Sequence, residues 1–318
     1  MNSNPHEGQA DRQVTRRRLS RSERTRRALA VAEDHDGVAH RSDLRAAQVT
    51  RADVRTEVAA GRWQVVGRHT VRIRPPREDR ARLWIAVWES GAGARLDGAA
   101  ALLAAGMTGF ASDTIDVSVP PRNRAHPVEG VRLHRRRSPG PITGAGVPRV
   151  RPELAALNAA MWAVSDRQAA LLICLAVQQR LVPRDRLLAA SASLSRGRSG
   201  FVRTIVEDVC DGAHSLGELD VAQLCADRGL PRPTRQSVRR LPGGRAYLDL
   251  AWEDHGLVVE VDGGHHARAL TPVDDALRQN EVTIAGERVL RIPLVGLRID
   301  PDAFLDQLER ALRCAIAA

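Results

Sequence analysis

The run Leu248-Asp249-Leu250-Ala251-Trp252, then Glu253-Asp254-His255-Gly256, then Leu257-Val258-Val259-Glu260-Val261-Asp262 does most to narrow what this chain can fold into. Two apolar, alternating runs flank a short polar segment that ends in glycine, the residue suited to a left-handed turn position. The pattern predicts an antiparallel hairpin. If Trp252 pairs with Leu257, residue numbers across the hairpin sum to a constant, so Asp249 stands opposite Glu260 and Tyr247 opposite Asp262. Side chains alternate along a strand. Leu248, Leu250, Trp252, Leu257, Val259 and Val261 then share one face, against a core, and Asp249, Glu260 and Asp262 share the other.

Like charges directly opposite one another destabilise a sheet. Three carboxylates on one face ask for a cation, and a hard divalent ion with oxygen ligands, Mg²⁺ or Mn²⁺, is the simplest one. Such an ion can hold a phosphate, polarise it and acidify a bound water. Glu218, on the preceding predicted helix, is a candidate further ligand. The alternative is that these carboxylates face solvent or pair with arginines, for which Arg245 and Arg278 are candidates.

Around the hairpin the expected order is αβββαβα. Ser215 caps a helix from Leu216 to about Asp227, stopped by Gly229-Leu230-Pro231-Arg232-Pro233. Strands follow at Gln236–Arg239, Ala246–Trp252 and Leu257–Val261. A helix from about Val273 to Ile284, a strand at Val289–Ile292 and an amphipathic helix from Pro301 to Ala317 complete the block.

Charge points to a partner. Lys+Arg total 48 against 38 Asp+Glu, for a net +10 and a pI near 11.0, and every one of those cations is arginine. Such a basic chain suits a polyanion, nucleic acid first. Each cationic contact to phosphate is then a planar guanidinium able to bond bidentately. Cys174, Cys210, Cys225 and Cys314 form no C-x-x-C pair, which favours reduced thiols over zinc. The N-terminus is polar and Arg-rich rather than a signal peptide. The longest apolar run, Ala169 to Val177, is far short of the roughly 20 residues of a membrane helix. A soluble, cytoplasmic protein with no membrane partner is expected.

The front of the chain divides in turn. Residues 1–22 read as a disordered basic arm around Arg16-Arg17-Arg18. From 23 to 75 the order is helix, helix, helix, wing. A helix from about Arg24 to Glu33 places Ala28, Leu29 and Val31 or Ala32 on an apolar side, and Asp36-Gly37 closes it. Ser42 caps a short helix, and Thr50 caps a third, Arg51 to Ala60, with Asp53 near its positive end. Trp63–Val66 and Thr70–Ile73 form the wing. This is the order of a winged helix-turn-helix, with Arg51 and Arg55 on one face of the third helix, suited to phosphates or guanine edges. Arg51, Arg55 and Arg62 are the candidate DNA contacts; the alternative for them is a solvated face. Residues 76–146 read as a small α/β middle domain, 147–210 as a helical connector with a loop near Ser191–Gly200, and 211–318 as the αβββαβ block. His126 and His134 are assigned no chemistry.

Two resemblances sharpen these expectations. Gly37-Val38, Val49-Thr50-Arg51, Val54, Gly61-Arg62-Trp63 and Val65, with Leu96–Ala101, Ile115–Pro120 and Val131–His134 behind them, resemble AbiEi-type antitoxins of actinobacteria over roughly 24–137. That resemblance implies autoregulation of transcription; the segment Val66-Gly67-Arg68-His69-Thr70 departs from the usual Gly-Val-Tyr wing. The run from Gly229-Leu230-Pro231-Arg232-Pro233 through Leu248–Trp252, Val259–His266, Asp275, Arg278, Gly286 and Val289-Leu290-Arg291 resembles a family related to very-short-patch-repair endonucleases, in the PD-(D/E)XK nuclease superfamily. It implies a restriction-endonuclease-like fold and metal-dependent hydrolysis of DNA phosphodiesters, with Asp249 as the motif Asp, Glu260 as the motif Glu and Glu218 as the helix acid. The superfamily lysine falls at Asp262. Its role must pass to His265 or His266, to a metal-bound water, or to nothing; histidine is suited to act as a base near neutrality. Asp275 and Arg278 read as an ion pair, or Arg278 as a phosphate contact. The expected whole is multidomain, α+β and α/β. It is a DNA endonuclease, or alternatively a non-catalytic DNA-binding regulator, antitoxin-like or autorepressing, with a degenerate nuclease domain.

Overall fold

The computed structural model describes residues 19–76, 80–123, 126–138, 140–143, 145–195, 197–211, 216–241, 244–262 and 288–313. They form a mixed α and β chain in two compact units. The first spans Met1–Ala92 with Arg124–Val128, and the second spans Gly93–Asn123 with Glu129–Ala318.

In the first unit, α1 (Arg21–Glu33) starts three residues before the expected position, because Ser20 accepts a hydrogen bond from the Glu23 backbone and caps it. Residues 1–18 of the expected arm lie outside the described residues. Ala28 and Ala32 are buried as expected, but Leu29 is exposed. Strand β1 (Val38–His40), unforeseen in the sequence, leads into α2 (Arg41–Ala46). His40, not Ser42, caps α2: its ring nitrogen accepts from the Ser42 backbone. Helix α3 (Arg51–Ala59) begins in a full capping box between Thr50 and Asp53. Strands β2 (Gln64–Val65) and β3 (Thr70–Arg72) follow, and the sheet order is β1-β3-β2, antiparallel. Helix α4 (Ala81–Glu89) presents Trp84 and Trp88 to the rings of His35 and His40. The core gathers Ala28, Ala32, Leu44, Val54, Trp63, Val71 and Ile73.

The second unit opens with β4 (Arg95–Leu96), α5 (Gly98–Ala104), β5 (Ile115–Val119), β6 (Val131–Arg135), β7 (Ile142–Thr143) and β8 (Arg149–Val150). They make a mixed five-stranded sheet, order β6-β5-β4-β8-β7, in which β5 runs parallel to β6. Helices α6 (Pro152–Trp162), α7 (Asp166–Gln178), α8 (Arg184–Ser191) and α9 (Ser199–Asp211) follow. The span 147–210 is therefore not helical throughout: its first residues give β8, a sheet strand.

Next comes α10 (Leu216–Asp227), then β9 (Thr234–Leu241), β10 (Gly244–Trp252), a single 3₁₀ turn at Glu253–His255, and β11 (Leu257–Asp262). Strand β12 (Arg288–Pro293), α11 (Leu294–Ile299) and α12 (Pro301–Arg313) complete the description. The sheet order is β12-β11-β10-β9: β9, β10 and β11 form an antiparallel meander, and β12 joins β11 in parallel. The expected helix at Val273–Ile284 lies outside the described residues, and α11 was not foreseen. Leu250, Trp252, Leu257, Val259 and Ile292 on one sheet face pack with Val221, Cys225, Leu305, Leu308 and Leu312 from α10 and α12. Each such buried aliphatic side chain contributes about 1.5–3 kcal/mol relative to exposure. No helix among the described residues is long and apolar enough to cross a membrane.

Candidate functional site

Helix α3 is held by charge. Arg24, on α1, reaches Asp53 at 2.8 Å and Glu57 at 2.9 Å, and all three side chains are buried. Arg62 closes on the same Glu57 at 2.5 Å. The Arg62 guanidinium is the largest influence on Glu57, and it outweighs burial to hold that carboxyl below its ordinary range. Burial pushes Asp53 up, but bonds from Thr50 and Arg24 outweigh it and leave the group lowered. Arg51 and Arg55 are both exposed, four residues apart, with the exposed small residues Ala52 and Ala59 beside them. Of the three expected DNA contacts, Arg51 and Arg55 therefore present open guanidinium groups, whereas Arg62 is tied into the Glu57 network.

The loop between β2 and β3 has an anchor that the sequence did not reveal. The Glu89 carboxylate, at the end of α4, accepts hydrogen bonds from the backbone of Arg68 (2.7 Å) and His69 (2.9 Å) and from the Thr70 hydroxyl (2.7 Å). A Cβ at Gly67 would run into the Glu89 carboxylate, which would have to shift to make room.

The C-terminal hairpin has the expected register. Trp252 faces Leu257, Ala251 faces Val258 and Leu250 faces Val259. Gly256, at φ 51°, takes the left-handed position that closes the turn. The Trp252 indole donates to the Pro231 carbonyl at 2.8 Å and ties the hairpin to the segment before β9. One further step along this register brings Asp249 level with Glu260, and Glu260 shares a sheet face with Val258 and Ala251 rather than with the main core. Those two residues pack with Val289 of β12. On β12, Arg291 pairs with Glu260 in the parallel ladder, and its Nε lies 3.3 Å from the Glu260 carboxylate. Glu260 is 13% exposed at its side chain and Arg291 48%. Glu260 and Arg291 thus stand side by side on adjacent strands, with the apolar row Ala251, Val258 and Val289 beside them.

The other expected site residues fall as follows. Glu218 lies on α10 and Asp262 ends β11; their side chains, like that of Asp249, are outside the described set. His265, His266, Asp275 and Arg278 lie outside the described residues. Arg245 is on β10. Among the described residues Arg291 pairs with Glu260, which spacing could not identify: the pair depends on a parallel crossover rather than on neighbours in sequence. Among the described residues, no group of three or more His, Cys, Asp or Glu side chains is placed to hold a metal ion.

A third polar cluster lies on the five-stranded sheet. Asp116 accepts from His134 (2.7 Å) and Arg132 (2.7 Å). The His134 ring stacks flat on Trp162, with centroids 3.4 Å apart. Burial pushes Asp116 up, but the His134 and Arg132 bonds outweigh it and leave the carboxyl below its ordinary value. Asp97, fully buried, bonds Ser118, Asn158 and the Gly98 backbone, yet burial dominates and raises it. His134, left without a role on sequence grounds, is therefore part of a buried polar network.

Compared with protein-family models and with curated proteins, the chain matches none.

Proposed function

We propose that this chain is a DNA-binding protein whose C-terminal αβββ…β block is a metal-dependent endonuclease of restriction-endonuclease-like fold. The hairpin register supports the reading: continued one step beyond Leu250↔Val259 it brings Asp249 level with Glu260, and Arg291 pairs with Glu260 on the neighbouring strand. The mixed sheet, with a three-strand meander and a parallel fourth strand, supports the same fold. Asp249 and Glu260 would hold the divalent ion, with Glu218 and Asp262 as further candidates. A bound ion supplies Lewis acidity and an acidified water. The chain's own residues orient the phosphate and balance its charge. The order α1-β1-α2-α3-β2-β3 supports a winged helix that offers Arg51 and Arg55 to a DNA groove.

A second reading has one observation behind it. Glu260 already has an arginine counter-ion, as in a site that has given up its metal and left a non-catalytic regulator. Cleavage of supercoiled plasmid and of short single- and double-stranded oligonucleotides in Mg²⁺, Mn²⁺ or EDTA separates the two. The nuclease reading expects metal-dependent cutting that both Asp249→Asn and Glu260→Gln abolish. Absence of cutting alongside salt-sensitive DNA binding favours the regulator.

A further inference from the structure

We infer that the outward face of α3 reads sequence in a DNA major groove, with the Thr56 methyl group meeting thymine and Arg51 and Arg55 meeting guanine. The inference rests on the DNA-binding part of the proposed function, not on the endonuclease part, and deepens it by naming what the helix recognises.

Three observations lead there. First, α3 divides into two faces. Asp53, Val54 and Glu57 are buried, while Arg51, Ala52, Arg55, Thr56, Ala59 and the capping Ala60 are exposed. At 3.6 residues per turn the exposed set forms two neighbouring ridges, Arg51-Arg55-Ala59 and Ala52-Thr56-Ala60. Second, charge is separated between the faces. Both acids of α3 turn inward, where Arg24 and Arg62 hold them. The outward face therefore offers two cations and no carboxylate of its own, and its alanines are small enough for the helix to approach the floor of a groove. Third, the Thr56 hydroxyl donates to the Ala52 carbonyl at 3.0 Å. Its one hydrogen is spent inside the helix, so Thr56 has no donor left for purine N7 or for the oxygens of guanine and thymine. What it adds to the ridge between Ala52 and Ala60 is a methyl group, and that ridge is a row of methyls.

The chemistry of the groove matches the two ridges. A guanidinium forks to O6 and N7 of guanine, and the apolar mark in the major groove is the thymine methyl, which alanine and the threonine methyl contact. Arg51 and Arg55 stand about 6 Å apart along the helix axis, close to two base pairs. Duplex RNA meets neither requirement: its major groove is too narrow for side chains to read, and uracil lacks the methyl. One methyl contact is worth about fourfold in affinity, the scale of a buried methylene.

The full chain, in EDTA to prevent cutting, is used to select from a random-sequence DNA duplex pool, and the recovered duplexes are sequenced. The expected motif holds two guanines about two base pairs apart with thymine beside them. Affinity for a selected duplex is then measured with each thymine of the motif replaced in turn by uracil, which removes only the methyl. Uracil at one position should weaken binding by the wild type and by Thr56→Val about fourfold and leave Thr56→Ser unaffected, since valine keeps the methyl and serine does not. Arg51→Ala and Arg55→Ala should each lower the preference for one guanine by about fivefold or more. Uracil sensitivity that persists in Thr56→Ser, or is lost in Thr56→Val, places the contact elsewhere and overturns the inference. So does salt-sensitive binding with no enriched motif, or a motif indifferent to uracil, and either leaves the DNA-binding reading intact. If no duplex is bound at any salt, the DNA-binding reading itself fails and the inference falls with it.

Discussion

Arg24→Met tests whether the Arg24 network fixes α3. Methionine keeps most of the stem's volume and removes the guanidinium. In the native protein that group donates from Nη1 to Asp53 at 2.8 Å and from Nε to Glu57 at 3.0 Å, with side-chain exposures of 9%, 7% and 0% for Arg24, Asp53 and Glu57. Loss of one partner from a buried ion pair costs about 3–5 kcal/mol when the remaining charge is uncompensated. Here compensation is partial: Asp53 keeps the Thr50 hydroxyl and backbone, and Glu57 keeps Arg62. The expected cost is therefore about 2–3 kcal/mol, the scale of hydrogen bonds to charged groups. Hydrogen exchange followed by mass spectrometry reads this locally, which suits a chain of two units for which a single melting temperature is poorly defined. At about 1.4 kcal/mol per decade, amides of α1 and α3 should exchange roughly 30- to 150-fold faster, while those of the second unit stay unchanged. An increase under about threefold in α1 and α3, or an equal increase in both units, would refute the network as the clamp on α3.

Two further tests concern the anchored loop and the buried carboxylates. Glu89→Ala leaves the Arg68 and His69 amides and the Thr70 hydroxyl without their acceptor; water replaces part of it, so a loss of about 1–2 kcal/mol is expected. Faster exchange at residues 68–70 with α3 unaffected checks it. Asp97 and Asp116 should respond to amidation with opposite signs. The folded-state value of Asp97 is raised, so its contribution to stability is full at acid pH and is lost as pH rises through that value; Asp97→Asn should leave the unfolding transition of the second unit at pH 7 unchanged or higher. The value of Asp116 is lowered, so its contribution is present above the ordinary carboxylate range and is lost as pH falls through the lower folded value; Asp116→Asn should destabilise at pH 7 by about 1–3 kcal/mol and make little difference near pH 3. Scanning calorimetry of both variants at the two pH values decides, and equal shifts would count against the assignment.

What the sequence made legible was local. The hairpin register follows from alternation and one left-handed glycine, and Trp252↔Leu257 stands as read from the residues. The Thr50 cap and the Asp53 in the first turn lie within four consecutive residues and were legible for the same reason, and the structure joins them into a full capping box. What stayed hidden depends on distance along the chain. Arg24 meets Glu57, Glu89 meets the Arg68 and His69 backbone, and Arg291 meets Glu260, each across 20 or more residues. Strand β1 is three residues long, too short for a two-residue period to declare itself. His40 caps α2 through a ring nitrogen, a choice outside the usual Ser, Thr, Asp and Asn signal, so Ser42 drew the assignment instead.

The same contacts change how the net charge of +10 bears on DNA binding. Composition counts every arginine alike, but the fold does not. Arg24 and Arg62 are committed to Asp53 and Glu57, Arg132 to Asp116, and Arg298 to Asp208, all carboxylates that are themselves buried. Those guanidinium groups neutralise charge inside the protein, and moving one to a phosphate would strand a buried anion at a cost that a single phosphate contact does not offset. Arg51 and Arg55 show no such pairing in the described contacts, and Arg291 pairs with Glu260 from a half-exposed position. On the proposed DNA-binding reading, the arginines available to phosphate are set apart by the burial of their protein partners, not by their number. On that criterion Arg62, attractive by position alone, belongs to the framework that holds α3, while Arg51, Arg55 and Arg291 remain the groups to test against DNA.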